Sequence, residues 1–204
     1  QLRKGVMFPA KAGVMESREL SADDVVFSFD RLNKSPKKIP AYFDHIDRVE
    51  ATGKHGVTFF MKAYNAEWDY RFGWGYYSAI MPKEVVAAGP GNWKNVNGSG
   101  PFQLQDYVLG NSLVFTKNPV YWDKEKIGGV DYKLPFVDKI TYRVIKDEAT
   151  FVTALRTAKL DLLETVRWSH VDELKKSAPK IQWSRRLANG GLFVALRMDQ
   201  KPFD

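Results

Sequence analysis

The 204 residues contain no cysteine. That absence excludes disulfides, thiolate metal sites and a cysteine nucleophile. It suits an oxidising compartment, where stray thiols are a liability. Histidine is scarce: His45, His55 and His170 lie far apart, none in an HExxH or HxH setting, and each reads as a surface or loop residue rather than a metal ligand. No apolar run approaches the length of a membrane span. There is no GxxxxGK[ST] phosphate loop, no GxGxxG between a strand and a helix, and no GxSxG elbow. Acidic residues are plentiful, but no pair stands out, and Asp23 with Asp24 and Asp147 with Glu148 read as helix starts. A carboxylate dyad of the glycosidase type would form only in space. Read from its residues alone, the chain offers no catalytic group, no metal set and no cofactor motif.

What is present is ordinary globular composition, 44% hydrophobic and 27% charged, in a length that suits one large domain or two small ones. The formal net charge is +7. The cations are dispersed, and the tightest groups, "SPKKIP", "DELKKSAPK" and "WSRRLA", are short. A basic surface is therefore expected rather than a nucleic-acid site, which would gather Lys and Arg on one face with stacking aromatics between them. No internal repeat is visible.

Strands and helices alternate along the chain. "LSADDVVFSFDRL" is the clearest helix, with Ser21 as N-cap, Asp24 completing a capping box, and Val25, Phe29 and Leu32 forming one apolar stripe. "QLRKGVMF" and "GVTFFMKAY" read as strands, and a short helix is expected near Pro82. "AAGPGNWKNVNGSGP" is rich in breakers and marks the best internal boundary, near Asn92 to Gly98. A β-hairpin follows, turning near Gly110 and Asn111, and "VDKITYRVI" is a further strand. "DEATFVTALRTAKLDLL" predicts a helix with Phe151 and Leu155 on one face, leading into a short strand at Leu160 to Leu163; "SHVDELKKSAP" predicts another helix, and "GGLFVALRM" a last strand. The order indicates a mixed α/β or α+β architecture.

Aromatic residues make up 14% of the chain, and two places concentrate attention. The run Trp68 to Tyr77 is ring-rich and punctuated by glycine. Its rings either pack beneath a long loop or, through Trp74, Tyr76 and Tyr77, face a cleft, since large rings offer much contact area at little entropy cost. Arg167 and Trp168, after the expected strand "LDLLE", raise the same choice, because residues just past a strand end often line ligand crevices.

Five stretches in order resemble one family. "LSADDVVFSFDRL" is similar to the "lTAeDVvfSfeRl" helix of the family-five extracellular solute-binding proteins, the peptide and nickel receptor class of ABC importers. "GSGPFQLQDYVLGNSLVFTKNPVYW" resembles their "GtGPy.l..y..g..l.l.rNp.YW" signature, and "VDKITYRVIKDEATFVTALRTAKLDLL" their "vdkityriipDe.t.v.al.sGeiDl". "LFVALRMDQKPFD" resembles the crossing "l.lNt...pPFdDvrVRqA", and "QLRKGVMF" resembles "f.LRdGVkFhdG". The chain departs from the pattern where Ala158 and Lys159 replace the usual "sG" pair, where Arg197 replaces an Asn, and where "PAKAGVMESRE" lengthens a loop.

The resemblance implies part of a two-lobed periplasmic-binding-protein-like fold of the large, three-domain type. Residues 1–95 would belong to the accessory lobe, 96–189 to main lobe one, and 190–204 to a strand crossing toward a second main lobe. Both ends read as interior, so the chain is expected to be a piece of a longer protein, with the signal segment outside it. The implied function is a receptor that captures a solute, a short peptide before all others, by hinged lobe closure and delivers it to a membrane permease. A nickel-chelate or an oligosaccharide is the alternative ligand, and a hydrolase the more distant alternative function. The resemblance further implies no enzymatic activity, no cofactor, no metal and no nucleic-acid partner. The intact protein is expected to be monomeric, and periplasmic or extracellular, with a lipid anchor as one possibility. Trp74, Tyr76, Tyr77, Arg167 and Trp168 are the candidate ligand-contacting residues, and Asn118, Pro119, Tyr121 and Trp122 form a turn that supports the cleft wall.

Overall fold

A two-stranded sheet opens the chain, β1 (Met7–Phe8) pairing antiparallel with β2 (Arg18–Glu19). The computed structural model describes residues 1–73, 78–186, 199 and 201–202. Helix α1 (Ala22–Asn33) follows, and its start is built as its residues dictate: Asp24 accepts from the Ser21 amide at 2.9 Å, closing the capping box, and Arg31 stands in its last turn. The short α2 (Pro40–Phe43) leads into β3 (Ile46–Ala51), which pairs antiparallel with β4 (Val57–Met61). Phe29 of α1 packs into a core with Phe43, Ile46 and Val49, bordered by Leu32, Phe59 and Phe72. A second core joins Phe8, Met15 and Leu20 to Val85 of α4 (Lys83–Ala87), the helix expected near Pro82.

Strand β3 is absent from the sequence reading for a physical reason. Its buried residues, Ile46 and Val49, stand three apart because the register shifts between Ile46 and Arg48, and that irregularity erases the two-residue alternation. The run from Trp68 also differs from the expected loop: its first part is a helix, α3 (Trp68–Gly73).

The hairpin folds as predicted. β5 (Phe102–Val108) pairs with β6 (Ser112–Lys117), and β6 pairs with β9 (Lys139–Arg143), giving an antiparallel three-stranded sheet in the order β5-β6-β9. Between β6 and β9 lies a second hairpin, β7 (Lys124–Ile127) with β8 (Val130–Lys133), whose eight residues are all exposed. Its turn is Gly128-Gly129, with φ of 58° and 87°, angles that only glycine adopts freely. Exposed charged strands carry no buried face, so no hydrophobic alternation announces them.

The chain forms two compact units, Gln1–Val144 and Ile145–Asp204. The second unit holds α5 (Glu148–Arg156) and α6 (Trp168–Ser177), both near their expected places. Leu160 to Leu163 form no strand, contrary to the expectation. Beyond α5 the chain turns at Ala158, with φ of 53°, and the amides of Lys159 and Leu160 both donate to the Ala154 carbonyl, a helix-ending loop rather than a strand entry. The last expected strand, in "GGLFVALRM", lies outside the described residues.

Ala158 holds a left-handed backbone that glycine occupies without penalty. Ala158→Gly is therefore expected to stabilise the protein by about 1 kcal/mol. Equilibrium denaturant unfolding of the two proteins checks this, and a loss of stability would contradict the assigned conformation.

Candidate functional site

Trp74, Tyr76 and Tyr77 lie outside the described residues, but the two ends of their segment do not. On one side, Phe72 packs its ring 4.7 Å from that of Phe59 and 5.9 Å from that of Phe43, rooting α3 in the core beneath α1. On the other, Ser78 donates its hydroxyl to the Phe72 carbonyl at 3.2 Å. The start of α3 is tied by Asn65, whose side chain accepts from the Glu67 amide at 2.8 Å and contacts His45 Nδ1 at 3.3 Å. Trp68 and Tyr70 of this helix are about half exposed.

Arg167 and Trp168 stand at the start of α6 in the second unit. Arg167 is its N-cap and remains 77% exposed at its side chain, where one guanidinium nitrogen lies 3.3 Å from Glu148 Oε2. The other oxygen of Glu148 lies 3.4 Å from His170 Nε2. Trp168 is 72% exposed, and Arg185 stands over its ring with the guanidinium carbon 5.2 Å from the centre. The fold thus gives adjacent residues different partners: Arg167 is held to a carboxylate and Trp168 to a second arginine. Arg185 is a residue that sequence reasoning missed. Its signal was present in "WSRRLA", read as one more short basic group; nothing local ties it to Trp168.

Asp147 and Glu148 have structural tasks. Asp147 caps α5, accepting from the Thr150 amide at 2.8 Å and from its hydroxyl, and these bonds hold its carboxyl below the ordinary range. Glu148 is paired as above. Among the described residues there is no group of three His, Asp or Glu placed to hold a metal ion, and no helix long and apolar enough to cross a membrane.

The strand entry "NGSGP" is stitched by amide side chains. Asn97, buried, donates to the Pro9 carbonyl at 2.8 Å, and Gln103 donates to Gly98 at 2.8 Å. Asn118, fully buried, donates to the Gly100 carbonyl at 2.8 Å and accepts from the Val120 amide at 3.1 Å, while its own amide donates to Pro101. Trp122 of the same turn carries the Arg3 guanidinium 4.0 Å from its ring centre. Such bonds give the buried side-chain amides of Asn97 and Asn118 their partners.

The profile of bacterial extracellular solute-binding proteins, family 5 (middle region), matches residues 1–204, the whole chain. The chain belongs to that family. Di/tripeptide-binding protein 1 of Pseudomonas aeruginosa (strain UCBPP-PA14) is 26% identical to this family-5 chain over 223 aligned positions, covering 100% of the chain and 40% of the relative. The chain therefore spans about two fifths of the length of the curated relatives it first matches. Among solved structures, the periplasmic binding protein DppA of Helicobacter pylori in complex with the peptide STSA superposes with a TM-score of 0.67 at 25% identity, over 86% of this chain and 36% of that one. MoaA of A. tumefaciens R10 in complex with mannopinic acid shares the fold, with a TM-score of 0.67 at 24% identity over 88% of this chain and 34% of that one. The mixed helix-and-strand architecture is thus that of the family-5 periplasmic binding proteins.

Proposed function

We propose that this family-5 chain is part of the solute receptor of an ABC importer, and that the solute is a short peptide. The observation that carries the reading is the match of all 204 residues to the family, together with the di- and tripeptide-binding relatives that align over the entire chain. Residues 1–95 serve as part of an accessory lobe, 96–189 as part of the first main lobe, and 190–204 as the crossing toward a second main lobe. The mechanism is closure of the lobes about a hinge, which buries the ligand and alters the surface shown to a membrane permease. No bond is made or broken. The intact protein works as a monomer in the periplasm or outside the cell, held there by a lipid anchor where one is present. Trp74, Tyr76, Tyr77, Arg167 and Trp168 are the residues assigned to ligand contact. The stitched "NGSGP" crossing and the Asn118–Trp122 turn support this reading as a stiff wall against which a lobe can close.

A thermal-shift screen of the full-length natural protein against short peptides, oligosaccharides and nickel with chelators tests it. A ligand that binds only the folded state adds about 2.7 kcal/mol at a hundredfold excess over Kd. In a large protein that moves the midpoint by about 2 °C or more. Peptides are expected to give the shift; a shift confined to sugars or nickel chelates would reassign the ligand within the receptor class.

A further inference from the structure

The sequence carries two Asn-Gly pairs, Asn97–Gly98 and Asn189–Gly190, and the second lies outside the described residues. An asparagine followed by glycine can modify itself, because no side chain on the second residue crowds its backbone nitrogen. That nitrogen, once it gives its proton to base, attacks the asparagine Cγ. The new N–C bond closes a five-membered imide while the Cγ–Nδ2 bond breaks, and Nδ2 leaves as ammonia with a proton from water. Water then opens the ring at either carbonyl, giving aspartate or its isomer linked through the side-chain carbon. One water enters and one ammonia leaves, so the step needs no oxidant, reductant or cofactor.

The fold restrains each group in that reaction. The Gly98 amide donates to Asn97 Oδ1 at 3.1 Å, which keeps the attacking nitrogen beside the side chain with its proton engaged. Nδ2, the leaving group, donates to the Pro9 carbonyl at 2.8 Å. The Gly98 carbonyl accepts from the Gln103 side chain at 2.8 Å, which fixes the chain on the far side of the pair. Asn97 is 6% exposed, and a hydroxide ion brought to it would have to shed its water. The reacting groups are thus adjacent but held. Local opening of this stretch frees them, because the bond to Pro9 joins residues 88 apart in the chain and is lost when the crossing lifts away.

We propose that Asn97–Gly98 is a self-modification site that the native fold holds in check, a one-way latch on the crossing. When Asn97 leaves the Pro9 carbonyl, cyclisation and hydrolysis replace its side-chain amide by a carboxylate. The carboxylate has no proton to donate to Pro9, and in that buried place it stands against a carbonyl oxygen. The isomer also lengthens the main chain by one carbon. Ammonia does not return, so a molecule whose crossing has opened for long enough is marked permanently. The latch is a property of the crossing and does not depend on which ligand the receptor takes.

The test follows the full-length natural protein in mildly alkaline buffer, one sample native and one in guanidinium chloride. Peptide mapping by mass spectrometry, with fragment spectra that localise the conversion, gives the rate at residue 97 in each. The unfolded rate is expected to exceed the native one by about tenfold or more, which corresponds to an opening that costs about 1.4 kcal/mol or more. Gly98→Ala is the control. An added Cβ meets no atom within 4 Å and the backbone there is not left-handed, so the variant keeps the fold, while its methyl group slows the reaction in denaturant severalfold. Wild type converted in denaturant and returned to native buffer is expected to unfold at a lower midpoint than untreated wild type, and Asn97→Asp to share that lower midpoint. Gly98→Ala, which retains Asn189–Gly190, keeps its midpoint through the same cycle. The rates are read on the wild type, so the test stands where Asn97→Asp does not fold. Equal rates in native and unfolded protein, an Asn97 that survives denaturant unchanged, or a converted protein as stable as the untreated one overturns the proposal.

Discussion

Arg18→Ala is expected to cost the protein about 3 kcal/mol of folding stability, the loss that follows when one partner of a buried charge cluster is removed. Arg18 donates to both oxygens of Asp24 at 2.7 and 2.9 Å and to both oxygens of Glu84 at 2.8 Å, and its guanidinium lies 5.4 Å from the Phe8 ring centre. One side chain thereby ties β2 to the start of α1 and to α4, beside the core of Phe8 and Val85. The carboxylate of Asp24 is only 5% exposed, so without Arg18 it would be a buried charge supported by the Ser21 amide and hydroxyl alone. Burial by itself would raise the Asp24 carboxyl; the hydrogen bonds from Arg18 and Ser21 outweigh it and hold the group below its ordinary range. The bonds from Arg18 also lower Glu84 to about 2. Both groups are depressed in the folded protein, so their stabilisation is complete above the unfolded carboxylate range and is lost as pH falls through the folded values. For Glu84 the window runs from 4.5 down to about 2. The wild type should therefore lose stability across that window while Arg18→Ala loses less, and the two unfolding curves should converge in acid. Urea unfolding at several pH values checks this, and a constant gap between the proteins would contradict the assigned network.

The second large effect is expected at Asn118. Asn118→Leu keeps the volume but removes the donor to the Gly100 carbonyl and the acceptor for the Val120 amide. Two polar groups then lose their partners beside a fully buried side chain, at a cost of about 2–4 kcal/mol. Asn118→Asp retains the acceptor for the Val120 amide but sets a carboxylate oxygen against the Gly100 carbonyl in a fully buried position, and should cost at least as much, while Asn97→Ala, which frees the Pro9 carbonyl, should cost about 1–2 kcal/mol. Denaturant midpoints of the three variants rank the bonds. Equal, small losses at all three positions would show that the crossing is not stitched in this way.

These two sites also show what could be read from the chain beforehand. The Ser21–Asp24 cap was legible because a capping box lies within four residues, and the hairpin of β5 and β6 because alternation and turn residues are local. The Asn-Pro-x-Tyr-Trp turn could be assigned a supporting role only through the resemblance. Its actual bonds reach back to Gly100 and Pro101 and depend on the closed fold. Arg18 drew no notice, because Glu84 lies far along the chain and no spacing rule connects them. The same holds at the candidate site. Arg167 and Trp168 were singled out as residues past a strand that does not form, yet Trp168 is exposed at the start of a helix. Its partner Arg185 was hidden in a basic pair. Local signals marked caps, turns and amphipathic stripes, whereas pairings made by folding had to be seen.

The measurement closest to the central claim is recovery of the bound solute. The full-length natural protein is mixed with a tripeptide pool, separated from free peptide by gel filtration, denatured, and the released material identified by mass spectrometry. A receptor that closes on a peptide and makes no bond should release intact tripeptides in about one-to-one ratio with protein, and the pool left behind should be unchanged. Release of shortened peptides, or a pool consumed over time, would show an enzyme; protein that emerges with no peptide at all would contradict the proposed ligand.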